Sequence, residues 1–181
     1  MTASIPQVQA LALERIRADV RSMHAYHVQP SQGLLKMDTM ENPFRLPPEL
    51  QAALGQRLGR LEINRYPGER QEVLKDMLAR YAQAPAGSAV LLGNGSDEII
   101  TLLALACAQP HAEGRATMLA PMPGFVMYPM SARLQGLDFV GVDLTADFEL
   151  DVPAMRAAIA EHRPAITYIA YPNNPTATLW A

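Results

Sequence analysis

The sequence predicts an α/β protein in which parallel strands alternate with helices. From residue 89 onward, short apolar runs are each followed by a longer stretch in which apolar side chains recur at helical spacing. Such alternation is typical of strand–helix–strand units, which need parallel strands and right-handed crossovers. Hydrophobic residues make up 49% of the 181 residues, so the chain can bury the core of an ordinary globular domain.

The first part of the chain is predicted to be mainly helical. Apolar side chains recur at roughly helical spacing over residues 6–23, which indicates a helical arm. Residues 34–37 favour a short strand. Pro48 can open a helix that runs to about residue 59, and Gly68 precedes a second helix over residues 69–82.

The second part of the chain supplies the predicted sheet. Four strands are expected, over residues 89–92, 116–120, 138–142 and 166–170. The helices between them are expected to follow the segment 93–96 and end near residue 108, to lie near residues 125–135, and to cover residues 153–162.

The composition argues against several classes of partner. A net charge of −3 gives no reason to expect nucleic acid or an anionic membrane, and no apolar run reaches the roughly 20 residues of a membrane span. The single cysteine, Cys107, excludes an internal disulfide and fits a reducing compartment, so a cytoplasmic location is predicted. His24 and His27 lie three residues apart, but a metal site would need a further ligand nearby, and none is predicted.

A glycine-rich segment, residues 93–98, lies between the first predicted strand and the helix that follows it. Free backbone N–H groups and the positive end of the helix dipole would converge there, which suits a phosphate, and Gly95 would let the backbone approach that group closely. A glycine turn without a ligand explains the same residues, with Asp97 and Glu98 stabilising the first helical turn and Glu98 at the third helical position. From this segment alone, the ligand-free interpretation is favoured. The segment matches neither a Walker loop, a dinucleotide fingerprint nor a nucleophile elbow.

Two further segments follow predicted strands. Phe125 comes after strand 116–120, where its ring either stacks on a heteroaromatic ligand or packs in the core. Asn174 comes after strand 166–170, where its amide either donates to a phenolate oxygen or belongs to a turn without a ligand. Because all three segments follow strands of a parallel sheet, we expect them to lie at one edge of it.

Together these segments resemble those of the fold type I pyridoxal-phosphate (PLP) aminotransferases, and within them the histidinol-phosphate aminotransferase family. The resemblance runs over nearly the whole chain. It implies the PLP-dependent transferase (aspartate aminotransferase-like) fold, present here as an incomplete three-layer αβα large domain with an N-terminal helical arm. Residues 1–64 would form the arm and a small-domain contribution, and residues 65–181 the N-terminal part of the PLP-binding large domain.

The resemblance also implies which residues bind the cofactor. Residues 95–97 match the turn that binds the cofactor phosphate, Phe125 matches the aromatic side chain on the pyridine ring, and Asn174 matches the asparagine that bonds the 3′ oxygen. Tyr66 matches a tyrosine that reaches the cofactor phosphate of the partner subunit, which implies a homodimer. The implied cofactor-binding residues are therefore Tyr66, Gly95, Ser96, Asp97, Phe125 and Asn174.

The segment that contacts the substrate is matched less closely. Glu41 and Asn42 match residues of that segment, but Met40 stands where the family has an asparagine. Ala177 likewise stands where the family usually has a glycine, a small change that should be tolerated.

The resemblance implies no catalytic residue in this chain. The family's Schiff-base lysine comes later in sequence than Asn174, and the only lysines, Lys36 and Lys75, match no such position. We therefore expect an N-terminal fragment that is inactive without the remainder of the enzyme. The complete enzyme would exchange an amino group between histidinol phosphate and 2-oxoglutarate in histidine biosynthesis.

Two alternatives stay open at this point. One is a related fold type I enzyme, such as an aromatic amino-acid aminotransferase or a threonine-phosphate decarboxylase. The other is a catalytically inert fragment that serves as a binding or dimerisation module.

Overall fold

The computed structural model describes residues 4–25, 27–36, 41–66, 68–110 and 114–180. The chain forms two compact units. The sheet unit contains Met1–Met23 and Leu91–Ala181, and the helical unit contains His24–Val90. The assignment of residues 1–64 and 65–181 to separate domains stays a prediction.

Helices and strands follow the predicted order from residue 48 onward, with one predicted strand missing. The helices near residues 48–59, 69–82, 95–108, 125–135 and 153–162 are all confirmed to within a few residues. The elements are α1 (Ile5–Arg15), α2 (Ala18–Arg21), α3 (Pro48–Gly59), α4 (Arg70–Tyr81), α5 (Gly95–Ala106), β1 (Thr117–Met122), α6 (Met127–Gln135), β2 (Asp138–Asp143), α7 (Val152–His162) and β3 (Ile166–Thr167).

The sheet unit is built around β1, the central strand of a parallel sheet with the order β2-β1-β3. Leu119 pairs with Val140 on one side and with Thr167 on the other. All but the last residue of β1 are buried, the pattern expected of a strand that is covered on both faces. The predicted parallel sheet is thereby confirmed for three of its four expected strands.

Two layers of helix cover this sheet. The crossover from β1 to β2 carries α6, and the crossover from β2 to β3 runs in the opposite direction and carries α7. Right-handed crossovers in opposite directions place their helices on opposite faces. On the α6 face, Met118 and Ala120 belong to a buried cluster that also contains Ile100 and Ala104 of α5. The helix α5 also packs against α6, so this cluster joins α5 to the sheet through Ile100 and Ala104.

The prediction of a strand over residues 89–92 is wrong. These residues have no regular structure, and none of the described strands pairs with them. A strand exists only where a neighbour takes up its backbone N–H and C=O groups. The two edges of β1 are already occupied by β2 and β3.

The last predicted strand, residues 166–170, is shorter than expected. Regular pairing of β3 with β1 covers only Ile166 and Thr167, and the N–H of Tyr168 still donates to the carbonyl of Leu119 at 2.9 Å. Residues 117, 119 and 121 of β1 point their backbone groups towards β3 because these groups alternate along a strand. Pro121 has no N–H to donate, so the ladder on this side stops after Leu119.

The prediction of a strand at residues 34–37 is also wrong for the part that is described. The N–H of Leu34 donates to the carbonyl of Ser31 at 3.0 Å, which closes a turn through Gly33. Leu34 and Leu35 are exposed, so no apolar face is buried that would favour a strand. Met37 lies outside the described residues.

The predicted arm helix is interrupted at Ile16 and Arg17, where α1 gives way to α2. The guanidinium of Arg17 donates to both carboxylate oxygens of Asp19, at 3.1 and 2.6 Å. It also donates to the carbonyls of Arg133 at 2.7 Å and of Leu134 at 3.1 Å. These carbonyls belong to the last turn of α6, where the helix dipole attracts a cation. Arg17 therefore anchors the arm to α6.

No helix within the described ranges combines the length and apolar character needed to cross a lipid bilayer.

We predict that Met118→Ala destabilises the sheet unit by about 2–5 kcal/mol, because it leaves a cavity in a fully buried position of β1. The matched variant Met118→Leu conserves the side-chain volume and should cost less than about 1.5 kcal/mol. Urea unfolding measures both changes. Equal losses of stability for the two variants would contradict the packing described for β1.

We predict that Arg17 controls the titration of Asp19. The hydrogen bond from Arg17 lowers the pKa of Asp19 from 3.8 to about 2. Because the folded pKa lies below the unfolded one, the contact stabilises the arm above pH 3.8 and is lost as the pH falls towards 2. In Arg17→Ala the carboxyl pKa should return to about 3.9. Carboxyl-carbon NMR measures it, and an unchanged titration would contradict the contact. Added salt should weaken the shift in the unaltered chain.

Candidate functional site

The N-terminus of α5 presents backbone N–H groups that find no acceptor in the described part of the chain. Asn94 is the N-cap residue, but its side chain accepts no hydrogen bond there. Gly95 has a φ of 78°, which favours glycine, and its N–H donates to the carbonyl of Gly93 at 2.9 Å. The N–H groups of Ser96 and Asp97 donate to no described residue. This exposed helix end can therefore bind an anion.

Glu98 shapes the same loop through a hydrogen bond that the sequence interpretation missed. It is the fourth residue of α5 rather than the third, and its Oε2 accepts a hydrogen bond from the N–H of Asn94 at 2.6 Å. The carboxylate thus occupies the Asn94 N–H and leaves those of Ser96 and Asp97 open. A carboxylate that reaches back to the N-cap backbone is half of a capping box, so the pattern could have indicated this contact.

Phe125 lies in the loop between β1 and α6. A tight turn precedes it, because a Cβ on Gly124 would collide with the carbonyl oxygen of Pro121. The ring is half-buried and meets that of Tyr128 edge to face, with 5.6 Å between centroids. Phe125 therefore packs against the buried cluster and still keeps part of its surface accessible.

Tyr128 and Tyr168 support Phe125 from inside the core. Their rings are stacked 4.6 Å apart at an interplanar angle of 5°. Burial raises the pKa of both hydroxyls, and for Tyr168 the nearby Cys107 and Tyr128 raise it further. The hydroxyl of Tyr168 is buried and has no hydrogen-bond partner among the described residues. The ring of Phe125 therefore rests on Tyr128, which is itself stacked on Tyr168.

The segment after β3 contains two asparagines with different surroundings. Asn174 is half-buried, and its side chain makes no hydrogen bond to a described residue. Asn173 is only 1% exposed, and its Nδ2 donates to the carbonyl of Pro123 at 3.1 Å. This bond joins the segment after β3 to the loop that carries Phe125. Two of the three segments predicted to share one sheet edge are therefore in direct contact. Among the described residues, no hydrogen bond joins the third segment, residues 93–98, to either of them.

Asn173 was not recognised in the sequence, because its neighbour Asn174 matched the family pattern. Nothing in the local pattern distinguishes a buried asparagine from an exposed one. Only the pairing of β3 beside β1 shows that residue 173 faces Pro123.

The remaining predicted residues belong to the helical unit. Tyr66 is 99% exposed and lines an open groove of about 900 Å³, whose other lining residues include Arg60, Arg65, Arg70 and Leu74. The Oδ1 of Asn42 accepts from the N–H of Phe44 at 3.0 Å, and the Oε1 of Glu41 lies 3.8 Å from Nζ of Lys36. The roles of Tyr66, Glu41 and Asn42 stay predictions.

The residues of the sheet unit fit the groups of PLP. The open N–H groups of Ser96 and Asp97 suit a phosphate, and the accessible ring of Phe125 suits a flat heterocycle. The amide of Asn174, which has no hydrogen-bond partner among the described residues, suits a phenolate oxygen. Among the described residues, no group of three or more histidine, cysteine or carboxylate side chains could hold a metal ion.

The chain belongs to the class I and II aminotransferases, a family that matches residues 33–181. It is 74% identical over 171 residues to the histidinol-phosphate aminotransferase of Paracidovorax citrulli (strain AAC00-1), covering 94% of this chain and 46% of that protein. The corresponding protein of Acidovorax sp. (strain JS42) is 71% identical over 175 residues, covering 97% of this chain and 46% of that one. The predicted family is confirmed, and the chain spans about half the length of these relatives.

Solved structures confirm the predicted PLP-dependent transferase fold. A crystal structure from Erwinia carotovora atroseptica SCRI1043, provisionally named a histidinol-phosphate aminotransferase, has a TM-score of 0.65 at 27% identity, over 86% of this chain and 43% of that one. The histidinol-phosphate aminotransferase of Sinorhizobium meliloti in complex with pyridoxal-5′-phosphate has the same TM-score at 20% identity, over 89% of this chain and 43% of that one, and shows likeness of fold alone.

We predict that Tyr168→Phe leaves the stability of the chain unchanged or raises it by up to about 1 kcal/mol, because it removes a buried hydroxyl that has no partner. Tyr168→Leu also removes the ring that stacks on Tyr128 and should be destabilising by at least about 1 kcal/mol. Thermal and urea unfolding compare the two variants. A clear loss of stability in Tyr168→Phe would show that the hydroxyl is hydrogen-bonded.

Proposed function

We propose that this chain supplies the cofactor-binding half of a PLP-dependent aminotransferase that acts on histidinol phosphate and 2-oxoglutarate in the cytoplasm. Two observations carry the proposal. The start of α5 offers open N–H groups, and the hydrogen bond from Asn173 to Pro123 joins the segments that carry Phe125 and Asn174 at one sheet edge. The high identity to histidinol-phosphate aminotransferases supports the choice of substrate.

The phosphate of the cofactor would lie at the start of α5. The N–H groups of Ser96 and Asp97 would donate to its oxygens, and the helix dipole would favour its charge. Gly95 leaves the approach open, since a Cβ there would meet nothing within 4 Å. Glu98 keeps the loop in shape, because its carboxylate accepts a hydrogen bond from the N–H of Asn94.

The ring would lie against Phe125, and the amide of Asn174 would donate to its phenolate oxygen. When bound, PLP supplies an electron sink that stabilises charge at the α-carbon of the amino donor. Phe125 would orient the ring and exclude water from one face. Asn174 would hold negative charge on the phenolate oxygen, because a hydrogen bond to the charged form favours that form.

Neither lysine of the chain is proposed to bond the cofactor. Lys75 pairs with Glu72 at 2.8 Å on α4, and Lys36 lies 3.8 Å from Glu41. We propose that the lysine comes from the region that the relatives have in addition to the matched half. We also propose that Tyr66 serves the phosphate of a partner subunit in a homodimer, and that Glu41 and Asn42 contact the substrate.

A complementation experiment tests the function. The chain is co-expressed with the segment of the Paracidovorax citrulli relative that lies beyond the matched region. Amino transfer to 2-oxoglutarate is then measured with histidinol phosphate and, in parallel, with phenylalanine. We expect turnover of histidinol phosphate only when both segments are present. Turnover of phenylalanine alone would favour the aromatic aminotransferase, and none with either donor would contradict the proposal.

We predict that Asn174→Ala in this complemented protein weakens PLP binding about 10- to 100-fold, because it removes a hydrogen bond to a charged oxygen. Equilibrium dialysis against PLP measures the affinity. The control Gln56→Ala removes an exposed amide from α3 and should leave the affinity unchanged. If Asn174→Ala binds PLP as tightly as the control does, Asn174 is not the phenolate contact.

A further inference from the structure

Asn173 is the most completely buried polar side chain beside the candidate site, and the function described so far does not use it. It is 1% exposed. It lies in the segment that follows β3 and directly precedes the proposed phenolate contact, Asn174. Burial of an amide is unfavourable unless hydrogen bonds compensate for the lost water. The partners of Asn173 therefore indicate what it does.

Both hydrogens of the Asn173 amide nitrogen are engaged. Nδ2 donates to the carbonyl oxygen of Pro123 at 3.1 Å and to Oγ1 of Thr176 at 2.8 Å. The carbonyl of Pro123 can only accept, so the nitrogen of the amide must face it. This defines the orientation of the side chain. Its Oδ1 is buried and has no partner among the described residues. The hydrogen bonds of this side chain are therefore made by its nitrogen.

The backbone of Asn173 is held as well. Its N–H donates to the carbonyl of Thr178 at 3.0 Å, and its own carbonyl accepts from the N–H of Ala177 at 2.8 Å. Oγ1 of Thr178 also donates to Oγ1 of Thr176 at 3.0 Å. Residues 173–178 therefore form a closed turn, and Asn174 lies within it.

The two ends of the bond between Asn173 and Pro123 lie next to the two residues proposed to contact the ring. Pro123 is two residues before Phe125, and Asn173 directly precedes Asn174. We propose that Asn173 is a positioning residue that sets the spacing between the ring of Phe125 and the amide of Asn174. The inference rests on the proposed function, because these two residues must hold the cofactor ring for their spacing to matter.

The effect should be confined to the ring contacts. The phosphate donors Ser96 and Asp97 lie at the start of α5, and no hydrogen bond joins them to Asn173. Loss of the hydrogen bond from Asn173 to Pro123 should therefore weaken binding of the cofactor ring and leave binding of a bare phosphate unchanged. A purely structural role would weaken both together or neither.

The test uses the complemented protein and pyridoxamine 5′-phosphate, which cannot bond covalently to a lysine and is detected by its fluorescence. Inorganic phosphate, as a competitor, reports the phosphate contacts separately.

Asn173→Asp keeps the shape of the side chain but turns a second oxygen towards Pro123. Asp151→Ala is the control, since it removes a hydrogen bond of 2.9 Å to the N–H of Ala154 at the start of α7.

We expect Asn173→Asp to bind pyridoxamine 5′-phosphate about tenfold more weakly than the control, with the inhibition by phosphate changed less than about twofold. In a Phe125→Leu background the same substitution should have a smaller effect, because it acts through Phe125. Thr176→Val removes one acceptor of the Asn173 amide. It should weaken the binding of pyridoxamine 5′-phosphate and leave the inhibition by phosphate nearly unchanged. It replaces Asn173→Asp as the test if that variant does not fold.

Three results would overturn the inference: unchanged pyridoxamine 5′-phosphate affinity, equal weakening of both ligands, or fully additive effects with Phe125→Leu. Failure of the unaltered protein to bind pyridoxamine 5′-phosphate would instead contradict the proposed function. The two failures are therefore distinguishable.

Discussion

The pairing of β1 with a parallel strand on each side is the constraint on which the sheet unit depends. Parallel strands need crossovers, and the two crossovers run in opposite directions, which places α6 and α7 on opposite faces of the sheet. The same pairing brings the loop after β1 beside the segment after β3. The hydrogen bond from Asn173 to Pro123 is possible only because these ends meet.

The candidate site combines two kinds of support with different physical origins. The start of α5 offers backbone donors, which need only a helix end and a glycine with positive φ. The ring contacts depend on side chains held by the core: Phe125 rests on Tyr128, and Tyr128 stacks on Tyr168. These aromatic contacts make the contacts with the cofactor ring sensitive to packing, whereas the phosphate contacts depend mainly on backbone geometry.

Three differences between the sequence interpretation and the structure have a common cause. Residues 89–92 have the composition of a strand but pair with none of the described strands, and residues 166–170 pair only as far as the proline in β1 allows. Arg17 divides the arm through contacts with carbonyls more than a hundred residues away. In each case the outcome depended on which backbone groups were available at a distance, and no local pattern contains that information.

The sequence by itself determined the family, the α/β class, the order of the helices and the segments that could contact a cofactor, because periodicity and motifs are local properties of the chain. Tertiary structure alone decided which strands pair, where β3 ends and which of two adjacent asparagines is buried. Strand pairing and burial depend on contacts between residues far apart in sequence. Asn173 and Asn174 differ for that reason, since one faces Pro123 across the sheet edge and the other keeps its amide unpaired among the described residues.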